Sequence, residues 1–270
     1  MKKFIVLLLL FTISTACGAR SDATTPEMAQ RLLKLRGFDY SEEEFFKAVK
    51  GKDAPAIDLF FQAGINPNAK NKAGETALTH AAANSDAATV EQLLKRADPN
   101  LRDNQGNTPL FVALKKKNFN IFDVLLAKGA DPNSTGVEGK TENQSVLYVA
   151  VLINRPDIIR QLLDKGADPQ LADSGGAMPI SEQIIYSSPD LDTVDLLLSK
   201  MTNVNQPEKD GTTLLIFAAK NTKMSASKRQ QIIEKLLAKG ADKSLKDKNG
   251  KTALDYAKEN KQKEAIALLQ

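Results

Sequence analysis

A unit of about 33 residues recurs through most of this chain and constrains the fold more than any other feature. The clearest copy runs from Asp98 to Asn133 and holds two short apolar segments joined by turns. Leu–Leu pairs mark the second segment of successive copies at positions 93/94, 125/126, 162/163, 197/198, 236/237 and 268/269. The positions that open the first segment of successive copies, from Thr76 to Thr252, are separated by 32, 37, 33, 35 and 39 residues, which indicates one basic unit with insertions. Such a chain forms a stack in which each unit contacts only its neighbours.

Each copy contains the signals of two short helices. In the clearest copy Thr108 is placed to cap a helix and Pro109 to occupy its first turn, where a missing N–H does no harm. Leu110 and Leu114 follow at helical spacing. Gly129 comes where the second helix should end in a left-handed residue. The helix-opening position recurs at Thr76, Thr108, Ser145, Met178, Thr213 and Thr252.

These motifs resemble those of the ankyrin repeat family. The matching segments are T-P-L at 108–110, G-A-D-P-N at 129–133 and G-A-D-P at 166–169. The resemblance covers residues 41–270 and implies an all-α solenoid of helix–turn–helix–hairpin units. It also implies a protein-binding function. The repeated aspartates fall where the turn of this family needs an Asx-type cap, at Asp98, Asp131, Asp168 and Asp242.

We divide residues 27–270 into an N-terminal helix and capping repeat over 27–70 and six repeats over 71–270. A short amphipathic helix is predicted between Met28 and Leu35. Ser41 and Glu44 have the spacing of a capping box at the start of the next helix. The hairpin before the third repeat, within residues 134–144, is lengthened by four residues.

Residues 1–16 have the pattern of a secretory signal peptide. Two lysines precede an apolar run of ten residues, which is too short to span a bilayer as a helix. The only cysteine, Cys17, follows immediately, in a segment that resembles the lipobox of bacterial lipoproteins. The resemblance implies an acylated Cys17, a tether over 17–26 and, from Gly18, sorting to the outer membrane. The alternative is ordinary cleavage after Ala16 that leaves Cys17 free.

Composition and residue types argue against several functions. The formal charge of +4 falls to about +2 without Lys2 and Lys3, and with export this argues against nucleic-acid binding. A single cysteine excludes an intramolecular disulfide. The one histidine, His80, fits a packed or hydrogen-bonded role between repeats. We therefore expect no metal, no cofactor and no enzymatic activity.

The function predicted is a periplasmic, membrane-anchored scaffold that docks a partner protein on its concave face. The chain itself is expected to be a monomer. One alternative is an immunity-type inhibitor of an exported toxin or enzyme. Another is an accessory to a periplasmic redox enzyme such as a catalase.

Seven positions are predicted to form the partner site. They lie seven and eight residues after each helix-opening residue, where inner helices should face the groove. Polar residues occupy these positions in the second and fifth repeats, and apolar residues occupy them in the third and fourth. An alternative for Ile185 is that Gln183 shifts the helix register and buries it. The predicted residues are Lys115, Lys116, Leu152, Ile153, Ile185, Tyr186 and Lys220, with Asn221 beside them.

Overall fold

The computed structural model describes residues 24–84, 86–185 and 189–270, which form fifteen helices and one two-stranded sheet. The first eight helices are α1 Pro26–Leu35, α2 Glu42–Lys50, α3 Ala54–Gln62, α4 Ala77–Asn84, α5 Ala87–Leu93, α6 Pro109–Lys115, α7 Phe119–Ala127 and α8 Val146–Leu152. The others are α9 Pro156–Asp164, α10 Pro179–Ile185, α11 Leu191–Lys200, α12 Leu214–Lys220, α13 Ala226–Ala238, α14 Ala253–Glu259 and α15 Lys263–Leu269. Strands β1 Thr135–Glu138 and β2 Thr141–Ser145 lie between α7 and α8.

The helices after α1 form seven successive pairs. The pair α2/α3 is the capping repeat, and α4/α5 to α14/α15 are repeats one to six. The inner helices, which are the first of each pair, pack side by side along the stack, and each contacts the outer helix of its own pair. Buried apolar side chains form one continuous core through the stack. The predicted all-α solenoid is confirmed, with the single small hairpin as its only sheet among the described residues.

The predicted helix starts are confirmed at the repeats with threonine or serine. Thr108 caps α6, because its hydroxyl accepts the N–H of Phe111 at 3.3 Å, and Pro109 begins the helix. Thr252 forms a full capping box, in which the Asp255 carboxylate also accepts the N–H of Thr252 at 2.8 Å. Gly129 has the left-handed conformation predicted for it, with φ +93°.

The capping box predicted at Ser41 is only half present. The Ser41 hydroxyl accepts the N–H of Glu44 at 3.2 Å. The Glu44 carboxylate, however, is bonded to the ammonium group of Lys47 on the next turn. An oppositely charged side chain three residues along the helix thus takes the place of the backbone N–H.

An asparagine ladder joins the turns of neighbouring repeats. Asp131 accepts the N–H of Asn133 at 2.8 Å, which confirms the predicted turn cap. The Asn133 side chain then reaches the next repeat, where it accepts the N–H of Asp168 at 2.7 Å and donates to the carbonyl of Gly166 at 3.2 Å. The same two bonds recur at Asn100 and Asn205. The repeated turn therefore fixes the spacing between units as well as reversing the chain.

Loss of one ladder side chain should weaken the stack measurably. We expect Asn133→Ala to lower the free energy of unfolding by about 1–2 kcal/mol, because two hydrogen bonds of typical strength are lost. Urea unfolding followed by circular dichroism measures this change. Asn120→Ala, on the exposed side of α7, is the matched control. Equal losses in the two variants would show that the ladder adds no stability.

The hairpin before repeat three packs tightly against repeat two. Its strands are antiparallel, with an irregularity between Gly136 and Glu138. Gly136 lies directly on the ring of Phe111, which is fully buried in α6. The lengthened segment predicted at 134–144 is thus an ordered hairpin that extends the edge of the concave face.

The predicted signal peptide and Cys17 lie outside the described residues, as does most of the predicted tether. The helix expected between Met28 and Leu35 is present as α1, and its N-terminus is capped by the hydroxyl of Thr25. Among the described helices, none combines the length and the apolar character needed to cross a membrane.

Candidate functional site

The described residues of the predicted partner site lie at the ends of inner helices, and the surface that they form with the neighbouring hairpins is called the groove. In repeat two, Lys115 and Lys116 are both exposed at the end of α6. The ammonium group of Lys115 donates to the carbonyl of Val137 at 3.3 Å, so the side chain leans toward the β1–β2 hairpin. These two lysines thus place positive charge at the edge of the groove beside repeat three.

In repeat three the two predicted apolar residues have different environments. Leu152, the last residue of α8, is 37% exposed and is one of few large apolar side chains that face solvent. Ile153 differs from the expectation, because it is half-buried and packs against the core. It caps the C-terminus of α8, where the chain turns toward the outer helix. In repeat four, Ile185 ends α10, while its side chain and Tyr186 lie outside the described residues.

In repeat five Lys220 faces the groove, but Asn221 has a structural role. The Lys220 ammonium group lies 4.0 Å from the Asp247 carboxylate and 5.2 Å from the centroid of the Tyr256 ring. Asn221 was expected to be a polar residue of the groove. Its amide instead donates to the carbonyl of Ile184 at 2.7 Å, in the preceding repeat. It is therefore one of the side chains that hold neighbouring repeats together.

Two aromatic residues near Lys220 were missed by the sequence interpretation. Phe217 and Tyr256 are half-buried and lie four residues after helix-opening threonines, one turn before the positions that were counted. Two cations lie near the Tyr256 ring: the ammonium groups of Lys220 and Lys251 are 5.2 Å and 5.3 Å from its centroid. A four-residue offset from each helix-opening residue would have found both aromatics.

A buried carboxylate lies beneath this aromatic residue. The Tyr256 hydroxyl donates to Asp247 at 2.5 Å, and the Asp247 side chain has no exposure to solvent. Burial opposes ionisation of Asp247, but hydrogen bonds from Tyr256 and from backbone N–H groups hold its pKa below its usual value. The hydrogen bond to Asp247, with burial, raises the pKa of Tyr256. The hydrogen bond to Asp247 thus holds the Tyr256 ring near Lys220 and Lys251.

A second carboxylate joins repeats four and five. Glu208 accepts the hydroxyl proton of Ser181 at 2.6 Å and the N–H of Met178 at 3.2 Å. Burial nevertheless raises the pKa of Glu208 above its usual value. The folded chain therefore binds a proton at Glu208 more readily than the unfolded chain does.

We expect Glu208→Gln to stabilise the fold at pH 7 and to remove part of its pH dependence. Because the folded state holds the extra proton, this group's contribution to stability falls as pH rises from about 4.5 through the raised pKa. Glutamine retains an acceptor for Ser181 without the charge. Urea midpoints at pH 4, 5.5 and 7 measure the effect. A variant whose midpoint stays below that of wild type at pH 7 would contradict this assignment.

No metal centre is found in the part of the chain that the structure describes. Residues 24–84, 86–185 and 189–270 contain no group of three or more His, Cys, Asp or Glu side chains able to hold a metal ion. The His80 side chain is largely buried, and its Nδ1 lies 3.1 Å from Glu75. This bond is within one repeat rather than between repeats. Thr79, which precedes it, bonds the buried Thr76 at the start of α4.

Comparison with known families identifies the class of fold. A family model described as ankyrin repeats (3 copies) matches residues 45–136 and 183–270, and one for a single ankyrin repeat matches residues 142–171. The chain belongs to the ankyrin repeat family. Repeats of this family are typically non-catalytic scaffolds for protein–protein interaction.

Individual relatives agree with this assignment. An ankyrin repeat-containing protein of Treponema pallidum (strain Nichols) is 30% identical over 169 residues, which cover 62% of this chain and 55% of the relative. The chain thus spans about half the length of that relative. The solved ankyrin repeat domain of Bcl-3 has a TM-score of 0.65 at 26% identity and covers 83% of this chain and 96% of that domain.

A further solved structure is similar to this chain at lower overlap. It comes from the complex of Bd0816, a predatory endopeptidase of Bdellovibrio bacteriovorus, with the immunity protein Bd3460. The TM-score is 0.54 at 28% identity, and the alignment covers 74% of this chain and 98% of the matched chain.

Proposed function

We propose that this chain is a non-catalytic protein-binding module, anchored through an acylated Cys17 at the periplasmic face of a bacterial membrane. It docks a partner protein on the concave face. The observation that carries the proposal is the exposed Leu152, which lies one repeat away from Lys115 and Lys116. An exposed apolar side chain within a polar rim is the usual composition of an interface.

The groove offers a rigid surface for such docking. Its inner helices are fixed by caps and by side-chain bonds between repeats, such as that of Asn221 to Ile184. A surface that is already ordered loses little conformational entropy on binding, which favours affinity. Phe217 and Tyr256 add half-buried aromatic surface toward repeat six, and the Lys220 ammonium group lies 5.2 Å from the centroid of the Tyr256 ring.

Leu152→Asp should abolish partner capture while it leaves the fold intact. Removing a charge from water at the apolar part of an interface costs free energy, so the aspartate should prevent binding. The Leu152 side chain is 37% exposed in the chain alone, so the same substitution should change the stability of the fold little. The measurement is affinity capture from envelope extracts of the native bacterium, together with thermal melting. Lys165→Asp is the matched control, because Lys165 is exposed at the end of the outer helix of the same repeat. Equal capture by both variants would place the partner elsewhere.

A second candidate function is an immunity-type inhibitor. The similarity to the endopeptidase–immunity protein complex supports it, since the aligned region covers most of this chain. An inhibitor would cover its partner's active site, whereas a scaffold would leave the partner active. The captured partner should therefore be assayed for hydrolytic activity with and without an excess of this chain. Unchanged activity at saturation would exclude inhibition.

The anchor can be tested separately. Stable membrane retention needs more than one acyl chain, as an acylated N-terminal cysteine would carry. Cys17→Ser should therefore move the protein from the membrane fraction to the soluble envelope fraction. Immunoblotting after fractionation measures the distribution. A wild-type protein that is already soluble would contradict the anchor.

A further inference from the structure

The two ends of the solenoid have different surfaces. At the C-terminal end, Lys263 and Glu264 are exposed on α15, as expected of a terminal unit that must be wetted by solvent. At the N-terminal end, α1 leaves Met28 39% exposed and Leu35 67% exposed. An end cap with exposed apolar side chains requires an explanation that its packing does not give.

The exposed apolar residues of α1 lie on one side of the helix. Ala29 and Leu33 are fully buried, and α1 packs on α3. Met28 and Leu35 are seven residues apart, which is two helical turns, so they share a face. Arg31 is also exposed and lies between them along the helix. This surface, defined by Met28, Arg31 and Leu35, is called the α1 outer face.

The exposed apolar residues are concentrated at this end of the molecule. Of the four large apolar side chains that are exposed in the described residues, three lie between positions 28 and 40. The third of these is Tyr40, which is 42% exposed just after α1. The fourth is Leu152, in the groove. The N-terminal end therefore carries its own apolar surface, separate from the proposed partner site.

We propose that the α1 outer face lies on the phospholipid surface to which Cys17 is attached, an inference that rests on the proposed anchor. Eight residues separate Cys17 from Pro26, so α1 begins within about 30 Å of the acylated residue. Apolar side chains beside a cation suit the boundary between acyl chains and anionic headgroups. The ten residues of α1 are too few to cross the bilayer, so the helix lies parallel to the surface.

This contact determines how the solenoid is presented. The first end of the stack rests on the membrane, and the later repeats extend away from it with their groove accessible. The tether keeps α1 at a high effective concentration near the lipid, so a small apolar face is sufficient for contact. Without the tether, the same face would bind vesicles only weakly.

The test uses the acylated full-length protein in vesicles of phosphatidylethanolamine and phosphatidylglycerol. Acylation blocks the only native thiol, so Met28→Cys carries a single site for a polarity-sensitive fluorophore. We expect its emission to shift to shorter wavelength when the protein is in vesicles. Lys263→Cys, which places the fluorophore at the opposite end of the stack, is the matched control. Its emission should be that of a label in water, with or without vesicles. Adding Leu35→Ser and Arg31→Glu to Met28→Cys should reduce the membrane-contacting population about tenfold or more.

The possible outcomes separate this inference from the anchor. A vesicle-bound protein whose label at position 28 reports water would overturn the contact and leave the anchor intact. Absence of the wild-type protein from vesicles would overturn both. A spectral shift without vesicles that grows with protein concentration would show that a second copy covers the face instead. Because the three substituted residues are exposed, the variants should have the same melting temperature as wild type, and this equality would show that the fold is retained.

Discussion

Truncation of Leu125 to alanine is expected to lower the free energy of unfolding by about 2–5 kcal/mol. Leu125 is fully buried in α7, within the core that runs through the stack. The substitution removes apolar contacts and leaves a cavity that the neighbouring helices cannot fill. Leu163, the second leucine of the corresponding pair in α9, is 3% exposed and should show a loss in the same range.

Lys128→Ala is the control for this prediction. Lys128 is exposed and follows Leu125 by one helical turn, at the C-terminal cap of α7. Urea unfolding at fixed pH gives both free energies, and amide hydrogen exchange shows whether repeats two and three open separately from the rest. Equal midpoints for Leu125→Ala and Lys128→Ala would mean that the helix register is wrong.

Features that depend on nearby residues could be predicted from the sequence. The caps at Thr108 and Thr252 and the left-handed Gly129 each involve groups within a few residues of one another. The turn bond of Asp131 to Asn133 is equally local. The overall fold could be predicted from the repetition, because a local pattern that recurs about every 33 residues also defines a stack of units.

Features that depend on the neighbouring repeat could not be predicted in the same way. The position of Asn133 in its turn was evident, but its partners lie 33 and 35 residues further along the chain. Asn221 was assigned to the groove because it lies eight residues after Thr213, one of the two distances at which the other predicted groove residues follow their helix-opening residues. Its side chain instead donates to the carbonyl of Ile184 in the preceding repeat. A periodic sequence shows which residues are equivalent and does not show which of them bridge two copies.

The candidate groove shows the same division. Counting along the inner helices placed Lys115, Lys116 and Leu152 on the exposed surface, where the structure has them. It also placed Ile153 there, although the turn after α8 draws that side chain toward the core. The cluster of Tyr256 with Lys220 and Asp247 joins two repeats and a hairpin. Its existence depends on packing that no single repeat contains.

Gly136→Ala is expected to destabilise the fold by about 1–3 kcal/mol or more, because the site has no room for a methyl group. A Cβ at position 136 would lie 2.2 Å from the Phe111 ring, and Phe111 is fully buried. Either the β1–β2 hairpin must move away from α6 or the ring must leave its position. Both changes expose apolar surface between repeats two and three. Thermal and urea unfolding measure the loss.

Gly51→Ala is the matched control, because Gly51 has an ordinary helical φ of −76° at the end of α2. Phe111→Leu in the Gly136→Ala background provides a stricter test. The smaller side chain makes room for the methyl group, so the double variant should lose less stability than the two single variants together. Additive losses would show that the close contact with Phe111 is not the reason why an alanine at position 136 is destabilising. A recovery of stability would confirm that repeat two holds the hairpin, and therefore the edge of the groove, through this one close contact.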